Sequence, residues 1–446
     1  MPSPALPAEA RMVITISDRA IEARRVALAS AIGTTIEWYD FFIYGTAAAV
    51  VFAPQFFPQV SPLAGVLASF ATFAVGFLAR PLGGIVMGHF GDRIGRKSTL
   101  VWCLLLMGLS TFGIGILPNY SRLGVWAPLS LVFFRFIQGF ALGGEWGGAV
   151  LMSVEHAPQG KRGLFGSFVA LGLPAGIILS NVVFLIASTT VTPEQFAAWA
   201  WRIPFLASAV LVAIGLFVRV KIAESPVFAE LLRARSARRM PVLDVLRSHA
   251  REILLAAGSY LSISATGYLV IVYFVSYATR NLQFSLSVTL ALLQAAAIVF
   301  AVSILFFAKW SDRLGRHRMI RWSCGMLVFA SLLFFPLIDT KSLALAAVAL
   351  CGILFVQGIY IGPQAAAFAE LFPPAVRYSG ASLSITIGTV LGGAIAPFVA
   401  TALYSTTGNS WPVTVYAVAL SIISWLCALA LTEDTSTTAT PNVVLN

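Results

Sequence analysis

Charge is scarce in this chain. Asp, Glu, Lys and Arg make up 11% of its 446 residues, and hydrophobic residues reach 59%. Soluble domains carry about 25% charged residues, so a surface this poor in charge excludes a water-soluble globular protein. Mean hydropathy is +0.88. Cysteine is equally sparse. Cys103, Cys324, Cys351 and Cys427 stand singly in apolar runs without disulfide or metal spacing, so they read as small buried residues and no metal is expected. The four histidines (His89, His156, His249, His317) sit at or near loops. The chain has no His-Glu-x-x-His, Gly-x-Ser-x-Gly or Gly-x-x-x-x-Gly-Lys, which argues against a membrane-embedded enzyme and against a nucleotide cofactor. No hydrophilic stretch is long enough to hold a separate soluble activity.

What the chain has instead is apolar runs. A helix needs about 20 apolar residues to cross the hydrocarbon core. Runs bounded by turn and charge clusters predict about twelve spans, over 26–52, 63–87, 99–117, 125–152, 163–187, 201–222, 252–278, 285–308, 320–338, 342–368, 380–404 and 411–431. This is an all-α integral membrane protein. Residues 1–25 are polar and lack a signal-peptide layout, and residues 223–250, rich in Arg and broken by Pro226 and Pro241, form a central linker with amphipathic character. The predicted organisation is a 1–25 tail, a 26–222 bundle of six helices, the 223–250 linker, a 251–431 bundle of six helices and a 432–446 tail.

The net charge of +11 is a topological signal. Arg24, Arg25, Arg93, Arg96, Lys97, Lys161, Arg162, Arg233, Arg235, Arg238, Arg239, Lys309, Arg313, Arg316, Arg318 and Arg377 fall in the tail or in alternate loops. The other side holds little beyond Arg122, Arg202, Arg280 and Lys341. The positive-inside rule therefore predicts that both termini, the linker and the Arg-rich loops are cytoplasmic. No nucleic-acid partner is expected; the partners are the lipid bilayer and a small solute, with the chain acting as a monomer.

One decapeptide recurs. Residues 88–97 (Gly-His-Phe-Gly-Asp-Arg-Ile-Gly-Arg-Lys) are echoed by 308–317 (Ala-Lys-Trp-Ser-Asp-Arg-Leu-Gly-Arg-His), with Asp92, Arg93, Gly95 and Arg96 matching Asp312, Arg313, Gly315 and Arg316 at a displacement of 220 positions. Gln138-Gly139 matches Gln357-Gly358, and Glu155 with Arg162 matches Glu370 with Arg377. A repeat at half the chain length predicts two similar halves that move against each other. In the first turn, Asp92 is expected to cap the third span's helix and Gly95 to allow a tight reversal. Gly88, Asp92, Arg93, Gly95, Arg96 and Lys97, with Asp312, Arg313, Gly315 and Arg316, are read as gating residues.

Charges inside spans cost at least ~2.5 kcal/mol each on insertion scales and are functional candidates by default. Glu37 and Asp40 in the first span stand three apart, which predicts one shared helical face, with Tyr44 one turn later. Desolvation favours the protonated form of a carboxylic acid, the property a proton-coupled carrier needs; a fixed ion pair with a buried arginine is the alternative. Arg135 lies among aromatics in the fourth span at a comparable depth. Its guanidinium fork fits a carboxylate, whether of a substrate, of Asp40 or Glu37, or of each in turn. Gln138 follows three residues on. Glu145, in Gly143-Gly144-Glu145-Trp146-Gly147-Gly148, lies nearer the cytoplasm and suits a gate or an interhelical pair, while Arg80 is placed to reach the cytoplasmic surface in a structural role. Tyr268 in the seventh span, and Gln357 and Tyr360 in the tenth, are candidate hydrogen-bonding groups from the second half.

Taken together, the turn at 88–97, Glu37-Trp38-Tyr39-Asp40-Phe41, Arg80-Pro81-Leu82-Gly83-Gly84, Gln138-Gly139-Phe140, Trp201-Arg202-Ile203-Pro204-Phe205, Glu224-Ser225-Pro226 and Glu370-Leu371-Phe372-Pro373 resemble the major facilitator superfamily, within it the metabolite:proton symporters. Phe56-Phe57-Pro58-Gln59-Val60-Ser61-Pro62 and Gly144-Glu145-Trp146-Gly147-Gly148 are similar to bacterial shikimate transporters. The resemblance runs from about residue 26 to 430. It implies two pseudo-symmetric six-helix bundles in the inner membrane, substrate held between them near the midplane, and spans one, four, seven and ten lining the path. Glu37 and Asp40 would couple protons, and Arg135, Gln138, Tyr44, Tyr268, Gln357 and Tyr360 would bind substrate. The expected activity is import of a small carboxylated metabolite, shikimate-like or another organic acid, with protons by alternating access. The alternatives are proton-coupled efflux of amphipathic compounds and uptake of a zwitterion such as proline or betaine. Ala308 and Ser311 replace Gly88 and Gly91 in the second turn, which implies a weaker latch in that half.

Overall fold

The structure, a computed structural model, describes residues 8–94, 96–143, 153, 162–220, 248–373 and 377–431. Twelve helical spans account for most of these described residues, and there is no strand among them. In the first half they are α1 (Ala8–Val50), α2 (Pro62–Ile94), α3 (Arg96–Ile116), α4 (Trp126–Gly143), α5 (Arg162–Ala170 continued by Gly172–Thr189) and α6 (Ile203–Val220). In the second half α7 runs Ala250–Tyr268, a π-helical turn Leu269–Tyr273 and Phe274–Arg280. It is followed by α8 (Leu286–Leu314), α9 (Arg316–Asp339), α10 (Leu343–Glu370), α11 (Arg377–Thr389, a π-helical turn Val390–Ala394, then Ala396–Thr407) and α12 (Trp411–Ala430). Helix α1 begins at Ala8, so the described part of the polar tail continues the first span as helix. Residues 223–247 of the expected 223–250 linker, Gly95 and Glu145 lie outside the described residues, and Ala250 already belongs to α7.

Eleven of these spans are long and apolar enough to cross a bilayer. The twelfth, α1, falls outside that set because Glu37, Asp40 and their polar neighbours interrupt its apolar run. The outer surface explains where the hydrophobicity of the others goes. Trp102, Leu109, Phe112 and Ile116 on α3, and Trp322, Met326, Phe329 and Leu333 on α9, are all exposed. Their spacing of three, four or seven residues sets each group on one helical face. Apolar surface on this scale cannot face water, but it is what lipid requires.

Inside, packing relies on small residues, as expected where hydrocarbon gives no hydrophobic drive between helices. Helices α2 and α4 come together at Gly76 and Gly139, where a Cβ on Gly139 would collide with the Gly76 carbonyl. Glycines of α5 admit α1 in the same way: Gly172 faces Thr34, and Gly176 faces Trp38. The two halves meet through α5 with α8, α2 with α11 and α1 with α7. They touch at both ends of the molecule. The first segment of α5 packs on α8 and α10 at the end that carries the repeated turns. At the far end, Arg280 Nη2 donates to the Ala49 carbonyl at 3.2 Å.

The glycine seam makes a prediction about stability. Gly139→Val meets backbone rather than a side chain that can yield, so it should cost at least the upper end of the 1–3 kcal/mol typical of overpacking. The expected result is a clear drop in the melting temperature of the detergent-solubilised protein. Gly352→Ala, where no atom lies within 4 Å of an added Cβ, should leave melting unchanged or slightly raised.

Candidate functional site

Helix α1 is covered on nearly every side from Ile36 to Ala49, and each face meets a different neighbour. Trp38 faces α5, and the Tyr39 hydroxyl donates to the Pro204 carbonyl at the start of α6 at 2.6 Å. The stripe Phe41–Gly45 faces α7: the Phe41 and Tyr268 rings are 5.8 Å apart, and a Cβ on Gly45 would lie 2.9 Å from Val272. Glu37, four residues before Phe41, continues this stripe toward the second half and is 3% exposed. Asp40 instead turns into the first half, beside Thr111 of α3, and is 1% exposed. The expected shared face for the two carboxylates therefore does not hold. Three residues fall short of a full turn by about 60°, and on a helix enclosed all round that angle selects different partners.

Arg135 is fully buried. On α4, Phe133 and Phe136 point to the outside, and the same periodicity turns Arg135, Gln138 and Gly139 inward. The guanidinium carbon lies 4.1 Å from the Tyr44 ring centroid, 4.2 Å from that of Phe41 and 4.8 Å from that of Phe73. Gly76 gives it room, since a Cβ there would lie 2.7 Å from Arg135 Nε. Desolvated cation–π contacts contribute about 2 kcal/mol each, so the rings offset much of the several kcal/mol that burying the cation costs. They accept no hydrogen bonds, however. Nη1 donates to Gln138 Oε1 at 3.1 Å and Nε makes a long contact with the Phe73 carbonyl at 3.5 Å. Nη2 has no acceptor among the described residues.

Arg80 joins this site, contrary to the expectation that it reaches for the cytoplasmic surface. Its guanidinium carbon lies 4.8 Å from the Phe77 centroid, 5.0 Å from Phe41 and 5.9 Å from Trp38. Its Nε and Nη2 are buried with no acceptor among the described residues. The apolar cluster on its side of α2 draws the side chain inward. From the second half, Tyr268 packs against Phe41, Phe73 and Phe77 at 5.1–5.8 Å, with its buried hydroxyl also unpaired among the described residues. Tyr268 ends the regular part of α7 just before the π-helical turn, and Gly393 of the α11 π-helical turn closes on its ring. Such turns recur at functional sites. Two guanidiniums and one phenol from both halves thus surround one aromatic cluster with unspent donors.

The other predicted residues have their polar groups engaged. Tyr44 donates its hydroxyl to Thr72 Oγ1 at 2.7 Å and offers Arg135 its ring face. Gln138 bridges Arg135 to Thr111, to which its Nε2 donates at 2.7 Å. Gln357 Nε2 donates to Thr266 Oγ1 at 2.9 Å, and Tyr360 shares a hydrogen bond with Ser259 at 2.8 Å, both in the α7–α10 seam. Phe41, Phe73, Gly76 and Thr111 escaped sequence reading because apolar, glycine and threonine residues in a membrane helix carry no signal of their own.

At the turn end, Gly315 has φ +89°, a conformation that favours glycine. Asp312 does not cap α9, whose N-terminal residue Gly315 has no side-chain cap. It lies in the last turn of α8 and accepts from Arg316 at 2.7 Å. Arg316 also pairs with Glu370 at the end of α10, which ties three helices together. Gly88, Asp92 and Arg93 lie in the last turns of α2, and Arg96 and Lys97 open α3; their side chains are outside the described set, as are Gly95 and Glu145.

Residues 30–397 match the model of the Major Facilitator Superfamily. The chain is 43% identical over 416 residues to the inner membrane metabolite transport protein YhjE of Escherichia coli, covering 92% of this chain and 94% of that one. It is 40% identical over 418 residues to the shikimate transporter of the same organism, covering 92% and 95%. The fold matches the xylose transporter XylE of E. coli in a partially occluded inward-open conformation, with a TM-score of 0.73 at 16% identity over 93% of this chain and 98% of that one. With the repeat, the twelve helices and these matches in agreement, the chain is a multi-pass membrane transporter of the major facilitator superfamily.

Proposed function

We propose that this transporter imports a small carboxylated metabolite together with a proton by alternating access, in a bacterial inner membrane with both termini cytoplasmic. The observation that carries the reading is the set of unspent donors on Arg135, Arg80 and Tyr268 around Phe41. Charge-assisted hydrogen bonds to a carboxylate are about twice as strong as neutral ones, and a guanidinium can make two in parallel. An acid seated there satisfies donors from both halves at once and so favours the conformation in which the halves close on it. Asp40 takes the proton, with Glu37 the second candidate. Asp40 is buried and its carboxyl oxygens take no hydrogen bond among the described residues, so its charged form is poorly supported here. The bundles 26–222 and 251–431 are the moving bodies, and the repeated turns latch them.

The same geometry weighs against the other readings. A zwitterion such as betaine needs a cation-accepting aromatic face, and those of Phe41, Tyr44 and Phe73 already hold Arg135. Efflux of amphipathic compounds needs a broad apolar cavity, whereas here the buried Arg135 guanidinium and the partly buried Arg80 share the aromatic cluster at Phe41.

Counterflow in proteoliposomes with shikimate, 2-oxoglutarate, citrate, aromatic acids and betaine tests the substrate class. Exchange is expected for one or more of the acids, and exchange of betaine alone sinks the reading. Uptake should fall as external pH rises, because the proton site loads from outside. Asp40→Asn should abolish accumulation driven by a pH gradient while leaving exchange within a few-fold of wild type, and undiminished accumulation would remove Asp40 from the proton path.

Arg135→Lys should lower kcat/KM at least tenfold, since an ammonium lacks the planar fork. Gly76→Ala should act in the same direction by pushing on Arg135 Nε, with a smaller loss of melting temperature than Gly139→Val. Steady-state uptake kinetics and melting curves on both variants check this; normal kinetics in both would separate Arg135 from substrate binding.

A further inference from the structure

Asp40 and Arg135 do not touch; two side chains lie between them. Arg135 Nη1 donates to Gln138 Oε1 at 3.1 Å, and Gln138 Nε2 donates to Thr111 Oγ1 at 2.7 Å. The Thr111 hydroxyl lies beside the Asp40 carboxyl but gives its proton to the Met107 carbonyl, four residues back on its own helix, at 2.9 Å. All four side chains are buried, with Thr111 and Arg135 at 0% exposure, so no bulk water competes for these bonds. Among the described residues, the charged or titratable groups that reach this part of α1 include Glu37, Tyr39 and Tyr44 on α1, Arg80 from α2, Arg135 from α4 and Tyr268 from α7. Tyr39 and Tyr44 have given their protons to Pro204 and Thr72.

Thr111 has one proton, taken here by the Met107 carbonyl, and the neighbouring Asp40 carboxyl, whose oxygens accept no hydrogen bond among the described residues, is a second candidate acceptor. Against a protonated Asp40, the Met107 carbonyl is an adequate acceptor. Against an ionised Asp40, the carboxylate is the stronger one, because a charge-assisted bond is worth about twice a neutral one. Rotation moves the lone pair that holds Gln138 Nε2. The Gln138 amide is rigid, so its other end, which holds Arg135 Nη1, shifts with it. No proton leaves Asp40 along this chain; what passes is orientation.

We infer that Thr111 is a positioning residue that senses the protonation state of Asp40 and passes it through Gln138 to the guanidinium of Arg135. The inference rests on the reading of Asp40 as proton site and Arg135 as anion site. It adds the physical link by which one site can inform the other without a direct ion pair. Coupling between two binding events requires such a differential contact in the two states.

Infrared titration of the full-length protein in nanodiscs tests it with pH as the sole probe. The C=O stretch of protonated Asp40 is identified by its loss in Asp40→Asn. In wild type, guanidinium C–N stretching bands, assigned to Arg135 by their change in Arg135→Lys, should titrate in step with it. Thr111→Val removes the hydroxyl at nearly constant volume. Its loss withdraws a donor from the ionised form, so the Asp40 midpoint should rise by about one pH unit, a tenfold change in the equilibrium, as expected for a hydrogen bond to a charged group. The guanidinium bands should stop following it. Thr111→Ala should reproduce both effects if the valine variant folds poorly, and Thr111→Ser should restore them. An Asp40 band that titrates normally and in step with Arg135 in the hydroxyl-free variants overturns the role of Thr111 and leaves the proposed function standing. If no titrating band is lost in Asp40→Asn, the proton-site reading fails, and the inference with it.

Discussion

A guanidinium held in a fully buried seam is the constraint around which the first half of this protein is built. Water cannot reach Arg135, so the protein itself must offset the cost of its charge. Three aromatic faces and one amide do part of this, and each imposes a demand on the backbone. Phe41 and Tyr44 commit α1 to lie over α4, Phe73 commits α2, and Gly76 must lack a side chain so that α2 and α4 can close with the guanidinium between them. The seam at Gly76 and Gly139 is therefore the means by which the charge is placed as well as a packing device.

The compensation is deliberately incomplete. Aromatic faces stabilise a cation but accept no hydrogen bonds, and Arg135 and Arg80 each retain buried N–H groups unspent among the described residues. A fully satisfied pair of arginines would be structural and inert. Arginines stabilised by rings and left short of acceptors remain able to bind an anion, and the phenol of Tyr268 brings the second half into the same cluster. Helix α1 divides its faces between the two halves. Its Glu37–Phe41–Gly45 stripe meets the other half, while Asp40 faces inward toward Thr111 of α3.

Much of this was legible beforehand. Twelve spans, the doubling of the chain and the choice of Glu37, Asp40 and Arg135, all three of which prove buried, follow from one energetic fact: charge is so costly in hydrocarbon that its position carries information. Apolar runs and isolated charges survive as a readable pattern without any knowledge of tertiary contacts. Depth along the helix does not decide where Arg80 goes, because the rings of Phe41, Phe77 and Trp38 provide a nearer refuge than the surface. The capping role expected of Asp92 lies outside the described side chains, and its counterpart in the second half is engaged otherwise. Asp312 has an arginine one turn away, and a charged partner outcompetes backbone amides.

Sequence by itself determined the class of this molecule, its two-fold internal repeat and three charged residues buried in its first half, because hydropathy and helical period are local properties. Tertiary structure decided what those groups do to one another. It set Asp40 and Glu37 toward different neighbours, inserted Gln138 and Thr111 between Asp40 and Arg135, and assembled Arg80 and Tyr268 around a ring 39 to 227 positions away along the chain. Partnership across helices depends on rotation and depth to within about an ångström, and no residue records in its own identity which helix will stand opposite it.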